Sequence, residues 1–582
     1  MTTLLIVLTI GLPWAGALLV WWIGDKRPRA QHALAVASSL AASVASVLLL
    51  PRAGDAAVVR LPLGSIFGEL TFVPDGLGLF LSAVATVVGS LAVVFSVDYM
   101  RGEAQLGRYY AFVLLFIGAM CGLVLSGSLL VMFVFWEITA LCSYALISFH
   151  NDDPVAVAGG IKALIMTQLG GIGLLGGALL GFSHFGTYDI RVFLEQAPAL
   201  PPAVLALAAF GFLAAAAAKS AQVPFHTWLP DAMEAPTPVT ALIHAATMVN
   251  AGVYLLARFY PAFAPVPGWT TAVIVVGLLS AVLAGIMALA ATDLKRALAY
   301  STISQLGYMV YAVGAGGVFA SQFHLLSHSL FKALLFLAAG AVIHAVGTRD
   351  VRQMGGLRKS MPFVRAAFVI GFLGLAGIPL ANGFISKELV LESGMNGGPL
   401  WAYIGMLLGA GLTALYGIRL VGLVFWGERR AAATVHDAPP FMRISLAALS
   451  IGTLTSWLLA GPFGRMLAAT LPLHRLHAVG TAAVLEEIVT APATWLALVV
   501  VAAGLVLWWL RRSLAGLVRT LGPLTDWAGR GLGFEWVNRQ VIAATEGAAA
   551  GLRRLQTGQL AWNVSGIVLG LMAVLAALVV WG

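Results

Sequence analysis

The stretch Lys219-Ser-Ala-Gln-Val-Pro-Phe-His-Thr-Trp-Leu-Pro-Asp-Ala-Met-Glu-Ala-Pro-Thr-Pro-Val-Thr-Ala-Leu-Ile-His-Ala-Ala-Thr-Met248 decides what kind of molecule this is. It starts at the end of an apolar run, 203–222, in which Ala214 to Ala218 lead directly into Lys219, and it ends inside a second run, 237–259. Pro224 interrupts the first run. The proline-rich piece from Pro224 to Pro238 carries His226, with His244 just beyond it. A helix broken at membrane depth leaves carbonyls and amides without partners, which is tolerated only inside protein or along a wet cavity. A lysine at such a break points to a polytopic membrane protein with a hydrated interior, and the small alanines beside it leave space for a neighbouring helix or a few waters.

The rest of the chain agrees. Of its 582 residues 60% are hydrophobic and 10% charged, whereas soluble domains carry roughly 25% charge. A water-soluble globule is excluded. Apolar windows place crossings near 3–23, 31–50, 75–98, 110–127, 129–149, 161–182, 203–222, 237–259, 269–291, 297–313, 319–345, 363–385, 401–426, 441–462, 491–510 and 560–581. The expected fold is therefore an all-α membrane protein of about 14–16 transmembrane helices. The first run lacks the charged leader and short apolar core of a cleaved signal and reads as a retained helix. The net charge of +9 is spread between apolar runs, so positive-inside loops explain it and nucleic acid is not an expected partner. Cys121 and Cys142 both fall in apolar segments, against a disulfide framework or a redox motif.

Lys and Arg concentrate in the odd-numbered loops, Lys26, Arg27, Arg29, Arg349, Arg352, Arg358 and Lys359 among them. Both termini are thus expected on the extracytoplasmic side of the cell (inner) membrane. Residues 51–74 suit an extracytoplasmic β-hairpin and 463–490 an ordinary loop. Segment 511–559 holds seven arginines, Arg511, Arg512, Arg519, Arg530, Arg539, Arg553 and Arg554, among apolar residues. That pattern suits an amphipathic segment lying laterally along the cytoplasmic interface, or a basic anchoring loop, with breaks at Gly522-Pro523 and at Gly529, Gly531 and Gly533.

Ionisable groups inside apolar runs are functional candidates, since each costs several kcal/mol unless neutral, paired or hydrated. Glu137, within Phe133-Val-Phe-Trp-Glu-Ile138, is read as the only acidic residue deep in such a run. Lys219 and Lys332 are its basic counterparts. Lys387 follows a run interrupted by Gly377-Ile-Pro379, so Pro379 marks a second helix break beside the one at Pro224. His324, His328 and Lys332, spaced four apart, share one helix face and form a candidate proton relay that His226 and His244 extend. For each histidine the alternative is a neutral imidazole bonded to a carbonyl. Lys295, in Thr292-Asp-Leu-Lys-Arg296, lies near a predicted turn and reads equally as a topology charge.

No metal motif is present. Position 325 is Leu, so His324 and His328 do not complete a zinc-protease signature, and no cofactor is expected. A haem protein is a poor alternative, because two histidines four apart on one helix cannot reach one iron from opposite faces. A Walker-type glycine loop is also missing, against ATP-driven transport.

Three motifs carry a family resemblance: Phe135-Trp-Glu137 with Cys142-Ser-Tyr144, the stretch Lys219 to Met248, and Asp293-Leu-Lys-Arg-Ala-Leu-Ala-Tyr-Ser-Thr-Ile-Ser-Gln-Leu-Gly307. They resemble the antiporter-like subunits of respiratory complex I (NuoL) and of Mrp cation/proton antiporters, strongly over residues 60–430. Leu555-Gln-Thr-Gly558 and the last run resemble the end of the complex I subunit. The resemblance implies fourteen core helices. Ten of these form two inverted five-helix repeats, about 110–260 and 269–426, each with a broken helix. It implies N-terminal helices with a hairpin over 1–109, a proton-translocation core over 110–430, and C-terminal helices with the lateral segment over 431–582. On that pattern Glu137 partners Lys219, Lys295 and Lys332 bridge the repeats, His244, His324 and His328 line the axis, and Lys387 takes the exit-side position.

Departures keep the branch open. Thr167-Gln-Leu-Gly-Gly171 replaces the Arg-x-Gly-Asp pattern of the complex I subunit, and Asn250 replaces a lysine usual in the Mrp large subunit, whose longer C-terminal extension is missing. The expected function is proton translocation along the buried Lys/Glu/His axis, switched by the Glu137–Lys219 distance. Na⁺(K⁺)/H⁺ antiport of Mrp type, or a place in a membrane hydrogenase or bicarbonate-uptake complex, is the alternative. Expected partners are other membrane subunits, both homologous antiporter-like and small ones, together with H⁺, Na⁺ or K⁺ and the lipid bilayer. No catalysis is expected from this chain alone, even as the L-type component of an NADH-quinone oxidoreductase.

Overall fold

The computed structural model describes every residue except 56–58, 65, 431–434, 475, 477–478, 521, 556–568, 570–571 and 573–582. It comprises two compact units, Met1–Thr525 and Asp526–Gly582. The first opens with helices α1 (Thr2–Ile23) and α2 (Pro28–Leu49), then strands β1 (Val59–Gly64) and β2 (Gly68–Phe72). Next come α3 (Gly76–Tyr99), α4 (Leu106–Leu125), α5 (Leu129–Ile147), α6 (Pro154–Phe185), α7 (Ile190–Gln196), α8 (Pro202–Lys219) and α9 (Trp228–Asp231). The middle of the chain forms α10 (Thr237–Ala245), α11 (Met248–Phe263), α12 (Trp269–Ala290), α13 (Leu294–Gly314) and α14 (Val318–Val346). Then follow α15 (Pro362–Ala376), α16 (Asn382–Gly397), α17 (Leu400–Phe425), α18 (Pro440–Thr455), α19 (Ala460–Thr470), α20 (Thr481–Thr490), α21 (Pro492–Trp509), α22 (Ala515–Thr520) and α23 (Gly522–Gly529). In the second unit, α24 (Phe534–Leu555) presents Trp536, Val537, Val541 and Ile542 to the outside.

Among the described residues thirteen helical stretches are long and apolar enough to cross a membrane. All thirteen coincide with expected crossings, and the chain is an all-α, multi-pass membrane protein. Two of the other expected crossings differ for a physical reason. α13 carries Lys295, Arg296, Ser301, Thr302, Ser304 and Gln305, yet only Arg296 and Tyr300 reach even partial exposure. Enclosed by other helices, it needs no lipid-facing coat. The expected crossing 363–385 is two helices, α15 and α16, separated at Gly377–Ala381. The last expected crossing, 560–581, lies outside the described residues except for Leu569 and Met572.

Aspartates start several helices: the Asp75 carboxylate accepts the Gly78 amide at 2.9 Å, and Asp293 that of Arg296 at 3.0 Å. Lipid tails give helices no hydrophobic reason to associate, so close packing through small residues takes its place. A Cβ on Gly173 of α6 would lie 2.2 Å from the Gly211 carbonyl of α8, so the backbones touch there. α10 and α11 are buried throughout as far as Phe259 and form the centre of the first unit.

The hairpin expected within 51–74 is present, Val59 pairing with Phe72 antiparallel. Within 511–559, α23 ends at Gly529 and α24 starts at Phe534, with Gly531 and Gly533 between them, while Gly522 and Pro523 open α23. The expectation of an ordinary loop over 463–490 is corrected: α19 and α20 occupy much of it. Its apolar residues are too few for a crossing but enough for short helices that pack on the bundle.

Candidate functional site

Lys219 is the last residue of α8 and fully buried. The chain then turns through Ala221, at φ +48°, before reaching Pro224, which stands five residues past the helix end. Buried side chains take up the carbonyls that the break exposes. Trp228 Nε1 donates to Ala218 O at 3.0 Å, and Gln222 Nε2 donates to Ser220 O at 2.8 Å. Lys219 Nζ donates to the Trp136 carbonyl at 2.8 Å and stands 5.0 Å from the centre of the Trp136 ring.

Glu137, next along α5, is half-buried, within electrostatic range of Lys219 and beside Gln168 of α6. Its carboxylate is not the acceptor of the Lys219 hydrogen bond. A Cβ at Gly171 of α6 would come within 2.5 Å of Glu137 Oε1, so the glycine provides the room the carboxylate occupies.

The second break mirrors the first with a different wiring. Leu380, at φ +86°, turns the chain between α15 and α16. Lys387, on the far side of the break, donates to the Leu375 carbonyl near the end of α15 at 2.9 Å and lies 5.2 Å from the Tyr308 ring centre.

Between the breaks, Lys332 donates to Leu298 O at 2.7 Å and to Ser301 Oγ at 2.6 Å. Lys295 donates to the carbonyls of Met233 at 2.7 Å and Ala235 at 2.6 Å and is 4% exposed. That burial separates it from an ordinary topology charge. His324 is held at both nitrogens, by Ser386 Oγ at 2.9 Å and Gln305 Oε1 at 3.2 Å. Both ring nitrogens of His244 and of His328 are buried with no protein partner. An imidazole in that position must be hydrated or lose hydrogen-bond energy.

These groups lie within electrostatic range of one another. His244 senses Lys295 and Lys332, His328 senses Lys332, His324 and His244, and His324 senses Lys387. His226, 1% exposed, lies within electrostatic range of Lys162, which is ion-paired to Asp231 at 2.7 Å. Asn250 donates to Ser329 Oγ at 3.3 Å and to Ala245 O at 2.8 Å, tying the interruption between α10 and α11 to α14.

Two buried charged sites escaped the sequence. Glu388 is 3% exposed although it stands outside any uninterrupted apolar run, next to Lys387. Arg258 and Asp75 form a buried ion pair joining α11 to the start of α3. The signal for Glu388 was its place directly after Lys387; for Arg258 it was a lone arginine in the run Val253 to Phe259.

Comparison with known proteins follows the same lines. A family model described as NADH:quinone oxidoreductase/Mrp antiporter, TM, matches residues 126–413. A second, described as NADH-Ubiquinone oxidoreductase (complex I), chain 5 N-terminus, matches 61–110. NADH-quinone oxidoreductase subunit L of Escherichia coli (strain K12) is 37% identical over 538 residues, spanning 87% of this chain and 86% of that protein. The chain belongs to this family of antiporter-like membrane subunits.

Na(+)/H(+) antiporter subunit A1 of Staphylococcus saprophyticus is 38% identical over 436 residues, 70% of this chain and 54% of that protein. The structure of the Mrp complex from Dietzia sp. DQ12-45-1b superimposes with a TM-score of 0.84 at 28% identity, covering 100% of this chain and 63% of that one. The antiporter-like chain thus has relatives in both branches. It matches most of the length of subunit L and about half of A1.

Proposed function

We propose that the chain is the proton-translocating antiporter-like subunit of a complex I-like or Mrp-type membrane assembly, with protons moving along Lys219, Lys295, Lys332 and Lys387. Its carrying observation is the buried series from Lys295 through Lys332, His244, His328 and His324 to Lys387, with two imidazoles that no protein atom satisfies. Structural need alone does not explain four fully or nearly fully buried lysines, each bonded to backbone carbonyls in place of a carboxylate.

Glu137 and Lys219 supply the switch. An ion pair about 4 Å apart at an effective dielectric near 20 is worth roughly 4 kcal/mol, or roughly a thousandfold in proton affinity. With the carboxylate close, Lys219 holds its proton; with it withdrawn, the buried ammonium hands the proton on. The arrangement in the structure, with Lys219 bonded to Trp136 O, fits the withdrawn position. Residues 110–260 and 269–426 act as two inverted repeats, supported by a turn through a left-handed non-glycine residue and a lysine at each break. N-terminal helices over 1–109 and C-terminal ones over 431–582 flank them. Both termini face outward, and 511–559 lies along the cytoplasmic interface, as the loop arginines support.

The test is the assembled complex in sealed vesicles carrying Lys219→Ala or Glu137→Gln. Each is expected to lose proton movement about a hundredfold; undiminished movement in both removes the mechanism. The similarity to subunit A1 favours one second reading, exchange of Na⁺ or K⁺ for protons. Replacing Na⁺ and K⁺ with choline in the same vesicles separates the two, since proton translocation alone survives the change.

A further inference from the structure

Where α16 leaves the bundle, three carboxyl groups stand in order of increasing exposure. Glu388 is 3% exposed, Glu392 is half-buried and Glu487 of α20 is exposed. Glu388 and Glu392, four residues apart, share one face of α16. The Glu392 and Glu487 carboxyl groups are within hydrogen-bonding reach of each other.

Both line a cavity of about 300 Å³, bounded also by Ser393, Asn396 and the start of α14, room for on the order of ten waters. A further wall is His474, 9% exposed, whose Nε2 donates to Ala257 O at 2.9 Å. That bond leaves Nδ1 as an acceptor, and it is buried with no protein partner. Glu388 Oε2 likewise has none, while Thr494 of α21 stands beside its carboxyl group. The other titratable groups facing this series are Tyr308 of α13, Tyr403 of α17 and Lys387 itself. No cation beyond Lys387 opposes the carboxylates in these contacts.

We propose that this cavity is the port through which Lys387 and Glu388 exchange protons with water, Glu392 and Glu487 acting as the carboxyl pair that carries each proton between the buried axis and the bulk. The proposal rests on the proton-translocating function argued above. On release, a proton leaves the Glu388 carboxyl for the Glu392 carboxylate. It crosses the shared hydrogen bond to Glu487 and departs to water, each group returning to carboxylate; uptake is the reverse.

The experiment uses the full assembled complex in sealed vesicles of either orientation, with Asn396→Cys as the reporter, an exposed residue that lines the cavity and carries no proton in the proposal. Cys121 and Cys142 are buried and stay silent. A membrane-impermeant, positively charged methanethiosulfonate is expected to label Asn396→Cys from one face only and to lower proton translocation about fivefold relative to the unlabelled variant. The isosteric double variant Glu392→Gln/Glu487→Gln is expected to lower it about tenfold with normal assembly, both drops being modest for lost proton-transfer groups. Complete labelling without loss of translocation, no labelling from either face, or wild-type rates in the double variant overturns the port. Lys387→Ala, run in parallel, separates the failures: if it too translocates normally, the function itself has failed and not merely its port.

Discussion

The two broken helices solve one problem in two ways. At the first, Lys219 ends the helix before the break and bonds to Trp136 O on α5, with its carboxylate partner Glu137 on that other helix. At the second, Lys387 lies past the break and bonds to Leu375 O of the helix it was severed from, with a carboxylate, Glu388, next to it in sequence. A carboxylate on a separate helix can approach and withdraw as helices shift, so its field at the lysine is adjustable. A carboxylate on the adjacent residue moves with its lysine, and its field is nearly constant. The first break is built as a switch and the second as a terminus, although both are a lysine beside a left-handed turn.

The strongest way to break that comparison is to neutralise the two carboxylates separately. Glu137→Gln is expected to cut proton translocation about a hundredfold, and Glu388→Gln only about tenfold, as for a lost relay group with water alongside. Pumping by the assembled variants in vesicles, normalised to the amount of chain in the membrane, gives both numbers. Equal losses would mean that the two sites are equivalent and that separation between helices carries no meaning.

How far the sequence foretold this asymmetry depends on what each residue's neighbours reveal. Glu137, Lys219 and Lys332 were legible because a charge inside an apolar run is anomalous wherever the helix goes. Lys387 was legible through Gly377-Ile-Pro379 just before it. Glu388 was not: Lys-Glu-Leu-Val-Leu-Glu after Ser386 reads as the edge of a crossing, and only the packing of α16 between α13, α17 and α21 makes that edge an interior. Lys295 stayed ambiguous because residues 233–235, whose carbonyls enclose it, are some sixty positions away. His226 adjoins Pro224 in sequence, and the fold also brings it within electrostatic range of Lys162 of α6, a proximity no local pattern encodes. His474 and Glu487 fell in a stretch read as loop, since short surface helices carry too few apolar residues to stand out.

A smaller effect sharpens the switch itself. Gly171→Ala would put a Cβ 2.5 Å from Glu137 Oε1. The obstructed atom is the free end of a flexible side chain, so the carboxylate swings aside at little cost to folding and its distance to Lys219 changes. Translocation is expected to fall about threefold, on the scale of under 1 kcal/mol, with assembly unchanged on a native gel. A wild-type rate would show that the position of the carboxylate is not what sets the rate.

The smallest effect belongs to a pair as local in sequence as Lys387 and Glu388 but placed in water. Arg352 binds Asp350 through Nη2 at 2.7 Å and Nε at 3.0 Å, and this bond holds the Asp350 carboxyl below the usual carboxylate range. Because the folded chain releases that proton more readily than the unfolded one, whatever the pair adds to stability is complete above the ordinary carboxylate value. It fades as the pH falls through the lower folded one. Solvent screens so exposed a pair, and Asp350→Asn should shift the thermal midpoint of the solubilised complex by no more than about 2 °C at pH 7. The gap should close below about pH 4. Translocation should be unaltered. If Asp350→Asn instead matched Glu388→Gln, adjacency in sequence would explain the second break by itself. If it does not, what distinguishes Lys387 and Glu388 is their removal from water, where a carboxylate and an ammonium group can neither be screened nor ignored.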